Sequence, residues 1–262
     1  MTHPLLALMA ASPVVGFDAS IYSSLSADHL WAAPYRTTVG ADLRFDAVLG
    51  AVHLTTVDPG GVVPTVATVA SINNRSAATF TGHKGYYGTI GAIGANMTVV
   101  IVAGDHAYDT GSSNSYETPM SLNSSTTGVG TTAPVAMEIF RDTDTASGAK
   151  DKMYSREGNT SGATAQATVG TGTVSYVCVG TMSASSLSFY YNSLTPATTA
   201  IAPAGTYANA NNIHLASRSN AAAGVESFKW AEMAVFRRIL TLGEITSLMN
   251  NRGAYYGLTI AP

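Results

Sequence analysis

Residue chemistry in this chain is sparse, and what there is sits in a few places. Glu138, Asp142, Asp144 and Asp151 form the densest acidic group, within a segment that reads mostly as loop. Hydrolysis of a glycosidic bond needs an acid and a second carboxylate flanking one bond. On a strand, that requires alternate acidic residues sharing a face, as in E-x-D-x-E. No such spacing occurs, and turn chemistry and solvation account for the acidic group as it stands.

Asp142 and Asp144 share the D-x-D start of a calcium loop. The EF-hand pattern then fails, because Ser147 stands at its glycine position and Met153 at its terminal glutamate. Calcium at Asp142 and Asp144 is the one cofactor the spacing leaves open. Asp105 and His106, which follow an apolar run, form a second candidate rim for a metal or ligand. The six histidines, among them His29, His53, His83, His106 and His214, never take zinc-ligand spacing. Cys178 is the single cysteine, set in the apolar run TVSYVCVG, so it reads as a buried thiol and no intrachain disulfide can form.

The remaining ligand candidates are aromatic. Sugar rings dock on flat tyrosine or tryptophan faces beside Asn and Asp donors and acceptors. Tyr86, Tyr87, Tyr108, Tyr191 and Asn192 are the candidates taken forward, with Tyr116, Tyr190 and Tyr207 as further exposed rings. Strand alternation allows only one of Tyr190 and Tyr191 to face outward. Packing in the core is the competing role for all of them.

The elements that must carry these residues are strands. Charged residues make up 11% of the chain, against roughly 25% in an average globular protein. Glycine, serine, threonine, alanine and asparagine fill much of the rest. Hydrophobic residues at 46% are enough to build a core. With 13 basic and 16 acidic residues the net charge is −3, and no Lys/Arg cluster tracks a phosphate backbone, so nucleic acid is not an expected partner. No glycine-rich stretch joins a strand to a helix as phosphate loops require. No run approaches the ~20 apolar residues of a membrane-spanning helix.

Along the chain, Val14–Ser20 reads as an edge strand and Val57–Pro64 (VDPGGVVP) as a turn. Ala77–Tyr87 is a strand turning at Gly82–Gly85, and Met97–Gly104 (MTVVIVAG) is a continuous β-branched run of the kind found in buried strands. Tyr108–Gly130 reads as a long loop or a wide hairpin. Short strands then follow over Ala133–Arg141, Lys152–Glu157, Thr173–Met182 and Ser186–Leu194. Phe228–Ile239 is a half-buried strand leading into a turn. A helix is predicted over about 241–252, with a Thr241/Glu244 capping box, an apolar stripe of Leu242, Ile245, Leu248 and Met249, Arg252 in the last turn and Gly253 as the left-handed stop. The N-terminal apolar stretch has no preceding Lys or Arg, and residues 1–20 are expected to be an arm or first strand of one domain spanning 1–262.

Several of these segments together resemble concanavalin A-like (laminin G-like) jelly rolls. FTGHKGYYG at Phe80–Gly88 looks like that family's F-x-G-x-x-x-Y segment, and MTVVIVAG takes the place of the buried strand after it. SLSFYYNSL is similar to its strand-Tyr-x-Asn-Gly hairpin, with Asn192-Ser193 where Asn-Gly is usual. Asn212–Leu258 resembles its closing strand, loop, strand and helix, with Ala216 and Lys229 where glycines are frequent. The likeness covers about residues 77–258 and implies an all-β, concanavalin A-like jelly-roll sandwich with one short C-terminal helix.

Versions with a D-A-S element such as Asp18-Ala19-Ser20 recur among bacteriophage virion proteins. The resemblance therefore implies a non-enzymatic virion structural protein, a capsid decoration or fibre/tail component. Its expected partners are copies of itself, other virion proteins such as capsid or tail, and host-surface glycans. It would be located in the virion, after assembly in the host cytoplasm. The alternative is a carbohydrate-binding, lectin-like module, which would be secreted, and a glycoside hydrolase or lyase stands third.

Overall fold

The computed structural model describes residues 18–33, 44–56, 64–81, 85–92, 94–107, 116–123, 135–142, 152–156, 164–169, 172–200, 212–215 and 227–262. The strands are β1 (His29–Ala32), β2 (Arg44–Asp46), β3 (His53–Thr56), β4 (Thr65–Val69), β5 (Arg75–Thr81), β6 (Tyr86–Thr89), β7 (Met97–His106) and β8 (Tyr116–Asn123). They continue with β9 (Val135–Asp142), β10 (Lys152–Arg156), β11 (Thr164–Thr168), β12 (Val174–Met182), β13 (Ser186–Tyr191), β14 (Ala197–Ala200), β15 (Asn212–Leu215) and β16 (Ser227–Phe236). Two α-helices flank them, α1 (Ser20–Ser24) and α2 (Leu242–Tyr256).

The strands form two antiparallel sheets. The first runs β14-β13-β12-β7-β16-β5-β4, with β1 paired to the free stretch of β16, and the second runs β11-β10-β9-β8-β15-β6-β3-β2. Alternation packs one face of each sheet into a shared core. Met97, Val99, Ile101 and Ala103 of β7 meet Met120, Leu122, Met137, Ile139, Ile213 and Leu215 of the second sheet. The molecule is an all-β sandwich closed by one C-terminal helix, as the sequence implied.

MTVVIVAG is buried along its whole length because its strand has cover on both sides. Val100 and Val102, on the outward face of β7, pack with Ile245, Leu248 and Met249 of α2, and with Tyr22 of α1. A strand covered on both faces has no reason to alternate. A register shift between Trp230 and Glu232 in β16 lets Trp230 and Met233 both face the inter-sheet core, while Glu232 turns toward the helix layer.

Helix α2 starts where the sequence places it. Glu244 N donates to Thr241 Oγ1 (3.3 Å) and Thr241 N donates to Glu244 Oε2 (2.7 Å), completing the capping box. Its end lies beyond the predicted one. Gly257, at φ +66°, is the left-handed stop, with Leu258 N donating to Gly253 O (2.8 Å) and Gly257 N to Ala254 O (3.4 Å) in a Schellman arrangement. Gly253 lies within the helix, where a Cβ would sit 2.7 Å from Ile260 Cγ1, so close approach of the C-terminal residues sets its identity. Arg252 does not serve the helix dipole; it is buried against Glu232.

Two loop and strand readings change. Tyr116–Asn123, inside the segment read as a long loop or a wide hairpin, is strand β8, whose Met120 and Leu122 are fully buried. Ser20, the last residue of the predicted edge strand, opens helix α1 instead, and residues 14–17 of that strand lie outside the described residues. Among the described residues no helix is long and apolar enough to cross a membrane.

Candidate functional site

The outward face of the second sheet carries a polar row that alternation alone would generate. Tyr86, Leu215, Leu122 and Met137 point into the core, which turns the residue next to each of them outward. Those neighbours are Tyr87, His214, Ser121 and Glu138, and the register sets them side by side: Tyr87 opposite His214, His214 opposite Ser121, Ser121 opposite Glu138. Tyr87 and His214 stack with ring centroids 6.0 Å apart at 25°. Next to this row, Thr89 Oγ1 donates to Asn212 Oδ1 (2.8 Å).

Glu138, Ser121 and His214 are fully buried and all are engaged with partners, so the row is a held network. Tyr87 is half-buried and is the described member of the row with an accessible ring. The partly accessible Tyr87 ring, held against the buried His214 ring, can stack on a flat ligand.

A second polar cluster lies at the end of β7, around the Asp105/His106 rim. Asp105 takes φ +47°, and a register shift between β7 and β12 accompanies it. Lys229 Nζ donates to Asp105 Oδ2 (2.5 Å), Asp105 N to Ser175 Oγ (3.1 Å), and Ser175 Oγ to Ser71 Oγ (2.9 Å). Burial opposes ionisation of Asp105, but its bonds with Lys229 and Ser71 outweigh it and hold the carboxyl below its ordinary range. Beneath, His106 Nδ1 lies 3.0 Å from the Tyr176 hydroxyl. Arg141, from the second sheet, donates to His106 O (2.5 Å) and Gly172 O (2.6 Å). Arg141 thereby latches one sheet to the other, and this cluster is chiefly a fastening.

The predicted site residues separate accordingly. Tyr86 is fully buried and edge-on to Phe80, so it is a core residue and offers no ring to a ligand. Tyr87 joins the outward row. Tyr191 leans into the core against Tyr176 (5.4 Å) and Phe189 (6.4 Å), and burial pushes its phenol up. Tyr190 faces the helix layer instead and is buried there. Asn192, at φ +46°, spends both ends of its amide on β12, accepting from Val177 N (2.8 Å) and donating to Ser175 O (3.0 Å).

Asp142 is the last residue of β9, in register with Tyr116 and Lys152. Asp144 and Tyr108 lie outside the described residues. Among the described residues no group of three or more His, Cys, Asp or Glu converges in a way that could hold a metal ion. Cys178 is a buried free thiol whose proton affinity burial raises. His214 and Ser121 escaped sequence reading because each sits in a short strand; the alternation in N-I-H-L and M-S-L-N was the available signal.

A third polar group lies under α2. Arg252 Nη1 lies 3.3 Å from Glu232 Oε1 with both side chains buried. The hydroxyls of Tyr22 and Tyr256 face the Glu232 carboxylate without completing hydrogen bonds. Burial pushes Glu232 above its ordinary range, against the pull of Arg252.

No protein-family model matches the chain, and no curated protein matches it. Among solved structures, a mutant Trypanosoma rangeli sialidase displaying trans-sialidase activity is similar with a TM-score of 0.59 at 12% identity, covering 86% of this chain and 33% of that one. The sialidase in complex with sialic acid is similar with a TM-score of 0.57 at 13% identity, over 84% of this chain and 32% of that one. The binding domain of botulinum neurotoxin serotype C1 is similar with a TM-score of 0.59 at 9% identity, over 88% of this chain and 53% of that one. This chain thus spans about a third of the sialidase and about half of the toxin domain. At these identities the likeness establishes the β-sandwich fold.

Proposed function

We propose that this chain is a non-enzymatic glycan-binding module whose ligand docks on the outward face of the second sheet. The observation that carries the reading is the in-register row Tyr87, His214, Ser121 and Glu138, in which three buried polar side chains stand behind one partly accessible ring. Tyr87 supplies the stacking ring, and the row behind it fixes that ring's position. The fold likeness to a sialidase in complex with sialic acid supports a saccharide as the ligand, and that to a toxin binding domain supports a binding role. Among the described residues, Glu138 has Ser121 and Arg156 as its register neighbours, and no second carboxylate stands there to complete a hydrolytic pair.

The test is titration calorimetry and a glycan array on the wild-type chain and Tyr87→Ala. Saturable binding by the wild type that the variant loses supports the reading. Binding that survives the variant, or turnover of a bound glycan, contradicts it.

A virion role, as capsid decoration or as a fibre or tail component assembled from copies of this chain, is the second reading. It is supported by the jelly-roll resemblance. Mass measurement in solution together with localisation in purified particles tests it; a monomer absent from particles overturns it.

A further inference from the structure

The segment Asp18–Asp28 is attached to the rest of the molecule in an unusual way. Its backbone hydrogen bonds are almost all internal: Tyr22 N and Ser23 N donate to Ala19 O, Leu25 N to Ile21 O, Ser26 N to Ser23 O and Ala27 N to Tyr22 O. Asp28 N, donating to Val235 O (3.0 Å), makes its one backbone bond to the sheet among the described residues. Attachment otherwise falls to side chains.

Ala19 and Tyr22 pack into the helix-side core, and three arginines, two from the turn after β16 and one from α2, provide the polar fastening. Arg252 Nη2 donates to Asp18 O (3.0 Å), and its guanidinium carbon lies 5.4 Å from the Tyr22 ring centroid. Arg238 Nη2 donates to Leu25 O (2.7 Å). Arg237 donates through its backbone N to Asp28 Oδ2 (2.7 Å) and pairs Nη1 with Asp28 Oδ1 (3.7 Å). Two of the three are also aimed by a carboxylate: Glu232 for Arg252, and Glu244, gripped at both oxygens, for Arg238. Between the arginines, Tyr22 is the deep anchor, fully buried over Glu232.

We propose that Asp18–Asp28 is a strap that opens and closes as one unit, fastened by Arg237, Arg238 and Arg252, and that its opening uncovers the buried seat of Tyr22 formed by Glu232, Arg252 and Tyr256. Lifting the strap breaks few backbone bonds to the sheet and withdraws Ala19 and Tyr22 from the helix-side core, while the inter-sheet core, to which it contributes nothing, stays intact, which is the condition for local rather than global opening. Once lifted, α1 at five residues is too short to persist alone, so its internal amides lose protection together. The outer fastenings, at Arg237 and Arg238, are partly exposed, so salt weakens them; the Arg252 fastening is buried and salt-resistant.

Hydrogen-deuterium exchange on the intact chain tests the strap. The amides of Tyr22, Ser23, Leu25 and Ala27 are expected to exchange as one group, faster than those of Val100 and Val179. Arg238→Met and Asp28→Asn are each expected to speed that group by about tenfold, the scale of one lost hydrogen bond to a charged group, with the β7 amides unchanged. Raising sodium chloride from low to high concentration is expected to act in the same direction. Arg252→Met is expected to have the largest effect and Arg252→Lys a smaller one. Should the Arg252 variants fail to fold, the Arg238 and Asp28 variants still decide. Strap amides that exchange only at the rate of the core, or that ignore both exposed-site variants and salt, overturn the proposal.

Discussion

The two sheets turn similar faces toward each other and different faces outward. Outside the first sheet, Val100, Val102, Ala234 and Phe236 lie under α1 and α2, and the charges there, Glu232 and Arg252, are sealed in. Outside the second sheet, the same alternation delivers Tyr87, His214, Ser121 and Glu138 in one in-register row. Among the described residues, the helices lie on the first sheet. The first sheet's layer is buried against the helices; in the second sheet's row His214, Ser121 and Glu138 are buried as well, and Tyr87 keeps a partly accessible ring.

That contrast is sharpest if it is attacked from the helix side. Arg252→Met leaves Glu232 as an uncompensated buried charge and is expected to cost about 3–5 kcal/mol in urea unfolding. Replacing both, as Glu232→Leu with Arg252→Met, is expected to recover most of that loss, because an apolar pair needs no counter-charge. A double variant as unstable as the single would show that the pair itself, rather than the orphaned carboxylate, holds the layer. Leu248→Ala, which opens a cavity between α2 and β7, is expected to cost about 2–5 kcal/mol. On the other sheet, Tyr87→Ala is expected to cost less than Leu248→Ala, since the Tyr87 ring is only partly buried.

Smaller effects fall on the helix start. Thr241→Ala removes the capping hydroxyl and is expected to lower stability by about 1 kcal/mol. Acid tests the same corner. Arg238 and the Thr241 amide hold Glu244 down at about 2, so its contribution is complete above the ordinary carboxylate range near 4.5 and fades as pH falls toward 2. Glu232 runs the other way: its raised proton affinity means its ionisation weighs against the fold as pH rises through its folded value. Melting temperature followed from pH 6 to pH 2 is expected to show a shallower acid loss in Glu244→Gln than in the wild type. Parallel curves would remove Glu244 from the account.

How much of this was legible depended on whether the determinant was local. The Thr241/Glu244 cap and the doubly covered strand MTVVIVAG were readable because each is set by neighbours in sequence. Gly253 was misread as the helix stop because its reason, the approach of Ile260, is tertiary; the conformational requirement falls on Gly257. Strand β8 was hidden by its serine, threonine and asparagine content, and Met120 and Leu122 were the two residues that marked it. Adjacent tyrosines at 86 and 87 were both nominated, since alternation says that one is inward without saying which. The Glu232 and Arg252 pair, and the reach of Arg141 between sheets, were invisible because their partners are assembled by the fold.

The measurement that bears most directly on the second sheet's outward face is a glycan titration of the wild type beside Tyr87→Ala, with Leu248→Ala as a control for lost stability at temperatures where all three remain folded. Saturable binding is expected of the wild type and of Leu248→Ala, with loss of binding in Tyr87→Ala at a temperature where it remains folded. Equal affinity in Tyr87→Ala and the wild type would contradict it.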